Sequence, residues 1–556
     1  MEIFKNIFAS FCFLILASSI MFSQSKIVDE DKLKNAVWIP DNGDWTYNNP
    51  IIYADYSDPD VIRVGDDFYM TSSSFSNFPG LPILHSKDLV NWKIISHAVK
   101  NYPIKDFENP QHGNGIWAPS IRFHNGEFYI YYGDPDFGIF MTKSKSAEGP
   151  WEPLRLIREA KGWIDPCPLW DEDGNAYLVH AWARSRSGIK HKLTINKLNA
   201  DGTKILDDGK DVFCDSINHP TMEGPKFYKR GGYYYIFAPA GGVKPGWQTV
   251  LRSKNIYGPY EVKIVLEQGS TKINGPHQGG WVQTKNGEDW FIHFQDRYAY
   301  GRIVHLQPMR WVDDWPVMGY DFDGNGIGEP VVKFKKPDVE GNYKIEIPQT
   351  DDEFDSIKLG LQWQWQANFK DDWISFSTRK NWLRFNSQKF LKENSNLWSV
   401  PSLLMQKFPA PKFTAVTKLE FNPATGKEKA GLIIFGLDYS YLCIEKEDDG
   451  YKIYQAICLN ADKNNAEEKS EAVKINSSNV YLRVDVHPQN ENDFIPKVIC
   501  NFSFSTDGKT FKKIGKDFTA KEGKWIGAKI GLFSLSKSNA EKIGYTDFDW
   551  FRFSKN

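Results

Sequence analysis

Apolar residues fall along the chain in two different rhythms. In the first, a short strand-like run, a turn built on Gly or Asp and a second, aromatic-rich run return as one unit. YSDPDVIRVGDDFYMTSSS, from Tyr56 to Ser74, opens the series. It is followed by PSIRFHNGEFYIYYGD from Pro119, PLWDEDGNAYLVHAW from Pro168, PKFYKRGGYYYIFAPAGG from Pro225 and GGWVQTKNGEDWFIHFQD from Gly279. The outer half of the unit repeats too, in SKDLVNWK from Ser86, SKSAEGPWE from Ser144 and SKNIYGPYE from Ser253. Units of about 45 to 60 residues, each with about four short strands, are the sequence form of radial blades. Residues near 50 to 320 therefore predict a five-bladed β-propeller, since a β-sandwich would not repeat.

Past Lys336 this rhythm stops. Pro337 to Glu353 is rich in Pro, Gly and charge and predicts a linker. Beyond it LGLQWQWQANF from Leu359, FTAVTKLEF from Phe413, AGLIIFGL from Ala430 and IGYTDFDWFRF from Ile543 alternate or run apolar, as the strands of an all-β sandwich do. The lysine-rich stretch from Ala461 to Ser470 is expected to be a solvated loop. At the other end Lys5, an apolar run from Ile7 to Phe22 and the small and polar residues Ser23 to Ser25 predict a cleaved export signal. That run is short for a membrane span and has no basic flank on its far side. The expected organisation is a signal peptide over 1–23, the propeller as catalytic domain over 24–336, the linker over 337–353 and the sandwich over 354–556. The mature protein is expected to be exported, to the periplasm or the medium, with no membrane partner.

Composition narrows the function. The chain is 41% hydrophobic and 25% charged with a formal net charge of -2, which gives no footprint for nucleic acid or an anionic membrane. Aromatics stand out, with 20 Trp, 25 Tyr and 38 Phe. They suit pleated surfaces, and their faces also stack on sugar rings. Cys167, Cys214, Cys443, Cys458 and Cys500 are too scattered to suggest a disulfide framework or a zinc site.

In a propeller the first strand of every blade lines the central axis, so the residues just before those strands gather at one mouth. Reading that position along the repeats gives Asp58, Trp117, Asp165, Glu223 and His277. Pro59 is expected to bias Asp58 toward extended backbone and hold it stiffly. Three carboxyls converging on one pocket repel one another and need a reason to exist. Glycoside hydrolysis supplies one: an acid to protonate the leaving oxygen, a carboxylate to attack or to activate water, and a third acid to raise the pKa of the first.

These motifs, SDPDVIRVGDDFY with SSFSNFPGLPILHSKDLVNW, GIWAPSIRFHNGEFYIYY, WIDPCPLWDEDG, MEGPKFYKRGGYYY and Gly301-Arg302, resemble glycoside hydrolase family 43 over almost the whole mature chain. The C-terminal region is similar to the concanavalin-like jelly roll of the family's β-xylosidase branch. The resemblance implies an inverting, exo-acting hydrolase with Asp58 as general base, Glu223 as general acid and Asp165 tuning Glu223 and orienting the sugar. It also implies that Arg302 binds the terminal sugar. Substrates would be oligosaccharides or side chains of plant hemicellulose, cut as β-D-xylosides or α-L-arabinofuranosides. No cofactor is required and no catalytic metal is implied, although relatives sometimes place a structural calcium beside the residue matching His277. Trp117, Phe75 and Phe78 are candidate pocket walls. Ser76 and Asn77 replace an acid and a large aromatic, which points to that loop as the seat of substrate choice. Cys167, with no basic neighbour in sequence, reads as packing.

Two other readings compete. Sucrose and fructan hydrolases need Arg and Cys where Ile164 and Gly224 stand. A catalytically silent sugar-binding protein explains the aromatics but not three converging acids. Nothing in the sequence fixes an oligomeric state.

Overall fold

The computed structural model describes residues 33–341, 343–390, 396–447 and 449–556, so the export signal expected over 1–23 lies outside the described residues. Five four-stranded antiparallel meanders follow one another. Their first and last strands are Asp60–Val64 and Trp92–Val99, Trp117–His124 and Arg155–Glu159, Trp163–Trp170 and Lys210–Cys214, Lys226–Arg230 and Glu261–Leu266, and His277–Gln283 and Trp315–Met318. The repeat thus becomes a five-bladed propeller.

Local chemistry explains each hairpin. Asn125-Gly126 and Gly231-Gly232 turn the inner hairpins of the second and fourth blades with both residues at positive φ, which a two-residue type I′ turn demands. The repeated serines have one job. Ser86, Ser144 and Ser253 each end the third strand of a blade, and each hydroxyl accepts the backbone N–H two residues on, at 3.1 Å from Asp88, 3.2 Å from Ser146 and 3.1 Å from Asn255. That short-range bond turns the chain toward the outermost strand.

Among the described residues no strand is shared to close the ring, although Ile52, on the way into the first blade, exchanges backbone bonds of 3.3 and 3.0 Å with Val304 of the fifth. The fifth and first blades meet where Arg63 Nε donates to the Gln283 carbonyl at 2.7 Å. Gly280 permits the approach, because a Cβ there would stand 2.8 Å from Asp60 Oδ1. Across the axis, the buried Lys226 ammonium donates to the Pro119 carbonyl at 2.8 Å and the Ser120 hydroxyl at 2.9 Å, tying the fourth blade to the second. Outside the ring, Thr46–Asn48 pairs with Lys333–Lys335.

The second domain is a sandwich of two antiparallel sheets. Strands such as Asn479–Pro488 bury every second residue, as a sheet with one face on a core requires. Its core continues into the propeller edge through Tyr53, Tyr300 and Ile303. The stretch read as a linker is fastened on the way: Glu346 pairs with Lys93 at 2.7 Å, and Asp352 exchanges two backbone bonds of 2.8 Å with Phe551. The lysine-rich loop is exposed over 463–466, but Glu467 turns inward to accept the hydroxyls of Tyr439 at 2.7 Å and Tyr441 at 2.8 Å, contrary to a wholly solvated reading.

Candidate active site

One backbone feature recurs at the propeller mouth. Asp58, Ala118, Asp165, Gly224 and Gln278 all have positive φ, at 54°, 39°, 57°, 61° and 42°. Four of them precede a proline, and Gln278 precedes Gly279. Asp58 is therefore not extended, as Pro59 suggested, but left-handed. A non-glycine residue held there costs about 1–3 kcal/mol, a strain that persists at sites fixed by their surroundings. The ring also corrects the blade alignment. Asp58 and Asp165 occupy the left-handed position itself, whereas Trp117, Glu223 and His277 stand one residue before it.

The side chains converge nonetheless. Asp58, Phe75, Trp117, Ala118, Ile164, Asp165, Glu223, Val243, Gln278, Arg302 and Trp525 line a pocket of about 440 Å³. A separate cleft of about 580 Å³ between propeller, linker and sandwich carries none of the three acids. Asp58 is buried and accepts the Ser73 hydroxyl at 2.5 Å on Oδ2. Ser73 in turn accepts the Ala118 N–H at 2.7 Å, which fixes its rotamer. Arg302 Nη1 stands 3.1 Å from Asp58 Oδ1, and its guanidinium lies 4.9 Å from the centre of the Phe294 ring. Burial opposes the Arg302 charge, but Asp58 and Asp296 outweigh it and raise its pKa.

The other two acids are both held above the usual carboxylate range. Burial, with the Asp58 charge behind it, pushes Glu223 up to about 7, while Arg302 and Lys190 pull it down. Burial and the Glu223 carboxylate likewise push Asp165 well above the usual carboxylate range. The Gly224 N–H donates to Asp165 Oδ2 at 2.7 Å and favours the charge there. His277, fully buried beneath them, has Nε2 3.6 Å from Glu223 Oε1. Burial and the nearby Arg302 lower its pKa to about 3, so it is neutral.

Lys190 reaches this corner because the His191 imidazole accepts the Thr221 N–H at 2.7 Å, pinning the loop beside Glu223. Its positive charge favours ionised Glu223, so Lys190→Gln should raise the Glu223 pKa. The alkaline limb of kcat/KM should then move up by a few tenths of a pH unit, a shift that a pH–rate profile resolves.

Not every expected residue belongs here. Phe78 is fully buried away from the pocket, exchanging backbone bonds with Trp365 of the sandwich at 3.0 and 2.6 Å and stacking on Tyr102. It is a domain anchor, not a wall. Ser76 and Asn77 are buried outside the lining, Asn77 turned back on the Ser74 carbonyl at 3.1 Å. Cys167 packs as expected but has a basic neighbour after all, with Arg122 Nη2 donating to its sulfur at 2.8 Å.

Trp525 comes from the sandwich domain, with its ring 6.0 Å from Trp117 and 5.9 Å from the Arg302 guanidinium. No sequence pattern linked it to the mouth, and the same is true of Ser73, Val243 and Gln278. A calcium site at His277 does not fit the protein groups present. Calcium takes six to eight oxygens, whereas the charged or titratable groups beside His277 are the Glu223 carboxylate, the Arg302 guanidinium and the His293 imidazole. Among the described residues no group of three His, Cys, Asp or Glu is placed to hold an ion.

The profile described as "Glycosyl hydrolases family 43" matches residues 47–316, and that of the "Beta xylosidase C-terminal Concanavalin A-like domain" matches 351–554. A putative beta-xylosidase of Xylanibacter ruminicola is 39% identical over 526 residues, 93% of each chain. The chain belongs to glycosyl hydrolase family 43. A beta-xylosidase of Formosa agariphila is 34% identical, covering 92% of this chain and 91% of its own. The solved structure of a xylan beta-1,4-xylosidase from Bacillus halodurans superposes with a TM-score of 0.80 at 25% identity, covering 91% of this chain and all of that one. Membership makes the protein a glycoside hydrolase.

Proposed function

We propose that this hydrolase releases single terminal pentoses, β-D-xylose or α-L-arabinofuranose, from hemicellulose-derived glycans, with inversion at the anomeric carbon. The observation that carries the reading is the pocket itself. Three carboxyls from three blades meet in one small pocket. The buried His277 lies behind Glu223, outside the lining, and a tryptophan from the second domain stands at the rim. Such a pocket takes one ring at a chain end. The names of relatives support the pentose: beta-xylosidases in Xylanibacter and Formosa, and a non-reducing end alpha-L-arabinofuranosidase of Bacteroides ovatus, 32% identical over 70% of this chain.

In this mechanism Asp58, paired with Arg302 and aimed by Ser73, takes a proton from water. The water oxygen bonds to the anomeric carbon as the bond to the leaving oxygen breaks, and that oxygen receives the Glu223 proton. Asp165 holds its negative charge against Glu223 and orients the ring, while the Gln278 amide nitrogen, buried and without a protein partner, offers a donor to a sugar hydroxyl. Inversion needs room for the water, with carboxyls roughly 6.5 to 9.5 Å apart. Export to the periplasm or medium suits a polymer-derived substrate, on the strength of the amino-terminal sequence.

Proton NMR of the first-formed sugar tests the stereochemistry, and α-xylose from a β-xyloside is the expected result. Product with retained configuration would remove Asp58 from its role. A panel of p-nitrophenyl pentosides separates xylosidase from arabinofuranosidase; a protein that bound xylo-oligosaccharides but cut none would sink the proposal.

A further inference from the structure

We infer that Asp55 is a positioning residue that makes the sandwich domain a working part of the pocket. Its carboxylate holds the Arg302 backbone with one oxygen and the loop bearing Trp525 with the other. This rests on the glycosidase reading of the pocket. Asp55 is buried. The Arg302 N–H donates to Oδ1 at 2.8 Å, and the Gly527 N–H donates to Oδ2 at 2.9 Å. Ser57 adds a longer bond of 3.3 Å to Oδ1.

The three backbones meet too closely for side chains between them. A Cβ on Gly301 would come 2.5 Å from Asp55 Cβ, and one on Gly527 would come 2.6 Å from the Gly301 nitrogen. Next to the clasp the Ala528 N–H donates to the Ala299 carbonyl at 2.7 Å. Two buried lysines of the sandwich, Lys407 and Lys529, feel the Asp55 charge.

A carboxylate is needed here because both faces of the clasp present donors. An ionised acid accepts on both oxygens, and such charge-assisted bonds are about twice as strong as neutral ones. Asparagine accepts on one side only and turns an N–H₂ toward the other amide. Domain cohesion alone does not require this group, since the shared apolar core and the Phe78–Trp365 pairing already join the domains. What Asp55 adds, three residues upstream of Asp58, is one group bonded to both the Arg302 strand and the Trp525 loop.

The test is Asp55→Asn in the full chain, with wild type, Trp525→Ala and the double variant beside it. Hydrogen exchange of the amides over 524–528 should lose protection in Asp55→Asn without substrate. The value of kcat/KM should fall about tenfold to a hundredfold, the scale of a misplaced pocket. Adding Asp55→Asn to Trp525→Ala should cost much less than Asp55→Asn does alone, since part of its effect runs through that ring. A folded Asp55→Asn with native exchange, kcat and KM overturns the inference, as do losses that simply add. Should Asp55→Asn fail to fold, Gly527→Ala opens the clasp from the sandwich side and must show the same loss of protection and activity; native behaviour there overturns the inference equally. A wild type inert on every pentoside refutes the glycosidase reading instead, and the exchange measurement still decides whether Asp55 holds the loop.

Discussion

Glu223→Gln should cut kcat on oligosaccharides by about 10²- to 10⁴-fold, the usual weight of general acid–base catalysis, and should make the protein more stable. The loss should be smaller on p-nitrophenyl pentosides, whose leaving group needs little help from a proton. The gain in stability follows from linkage. In the folded chain Glu223 titrates at about 7, against 4.5 for the free side chain, so the native state holds a proton that the unfolded state has released. Stability therefore falls as pH rises through that window, and the full cost is present above it. Glutamine removes the cost, on the order of 3 kcal/mol at 1.36 kcal/mol per unit. Urea unfolding at pH 8 and pH 4 is the measurement: the variant should gain at pH 8 and match wild type at pH 4. A loss at both would mean that the carboxyl is a structural group.

Asp58→Asn should be inactive as well, but with the opposite effect on stability. Arg302 is almost wholly buried, and its nearest counter-charge is Asp58 at 3.1 Å, with Asp296 next at 4.0 Å. Removing one partner of a buried pair strands the other and costs about 3–5 kcal/mol. The two acids of one reaction would thus be separated by their melting curves, one variant above wild type and one below. If both variants were stabilised, Asp58 would not be the partner that the buried Arg302 needs.

How much of this was legible in the chain differs from residue to residue. The blades were, because each carries its own turn chemistry within a few residues: Asn125-Gly126, Gly231-Gly232 and the serines after the third strands all act locally. The acids were legible through the same repeat, although the proline after the left-handed residue was the truer ruler. Aligned on Pro59, Pro119, Pro166 and Pro225, the repeat separates Asp58 and Asp165 from Glu223 at once. Phe78 misled because an aromatic on a loop has no sign of which way it faces, and its partner Trp365 lies in another domain. Trp525 was out of reach for the same reason. Its neighbours Trp117 and Arg302 are far away along the chain, and no period or spacing connects them.

The five left-handed positions at the mouth have a consequence for redesign. They are equivalent sockets in one frame, and only two of them now hold an acid. Ala118 has a methyl where Asp58 and Asp165 have carboxylates, and Gln278 has an amide. The backbone bend is already in place at both, so new polar groups can be grafted there without rebuilding the blade. Catalytic variety on this ring is a choice of side chain at a preset corner.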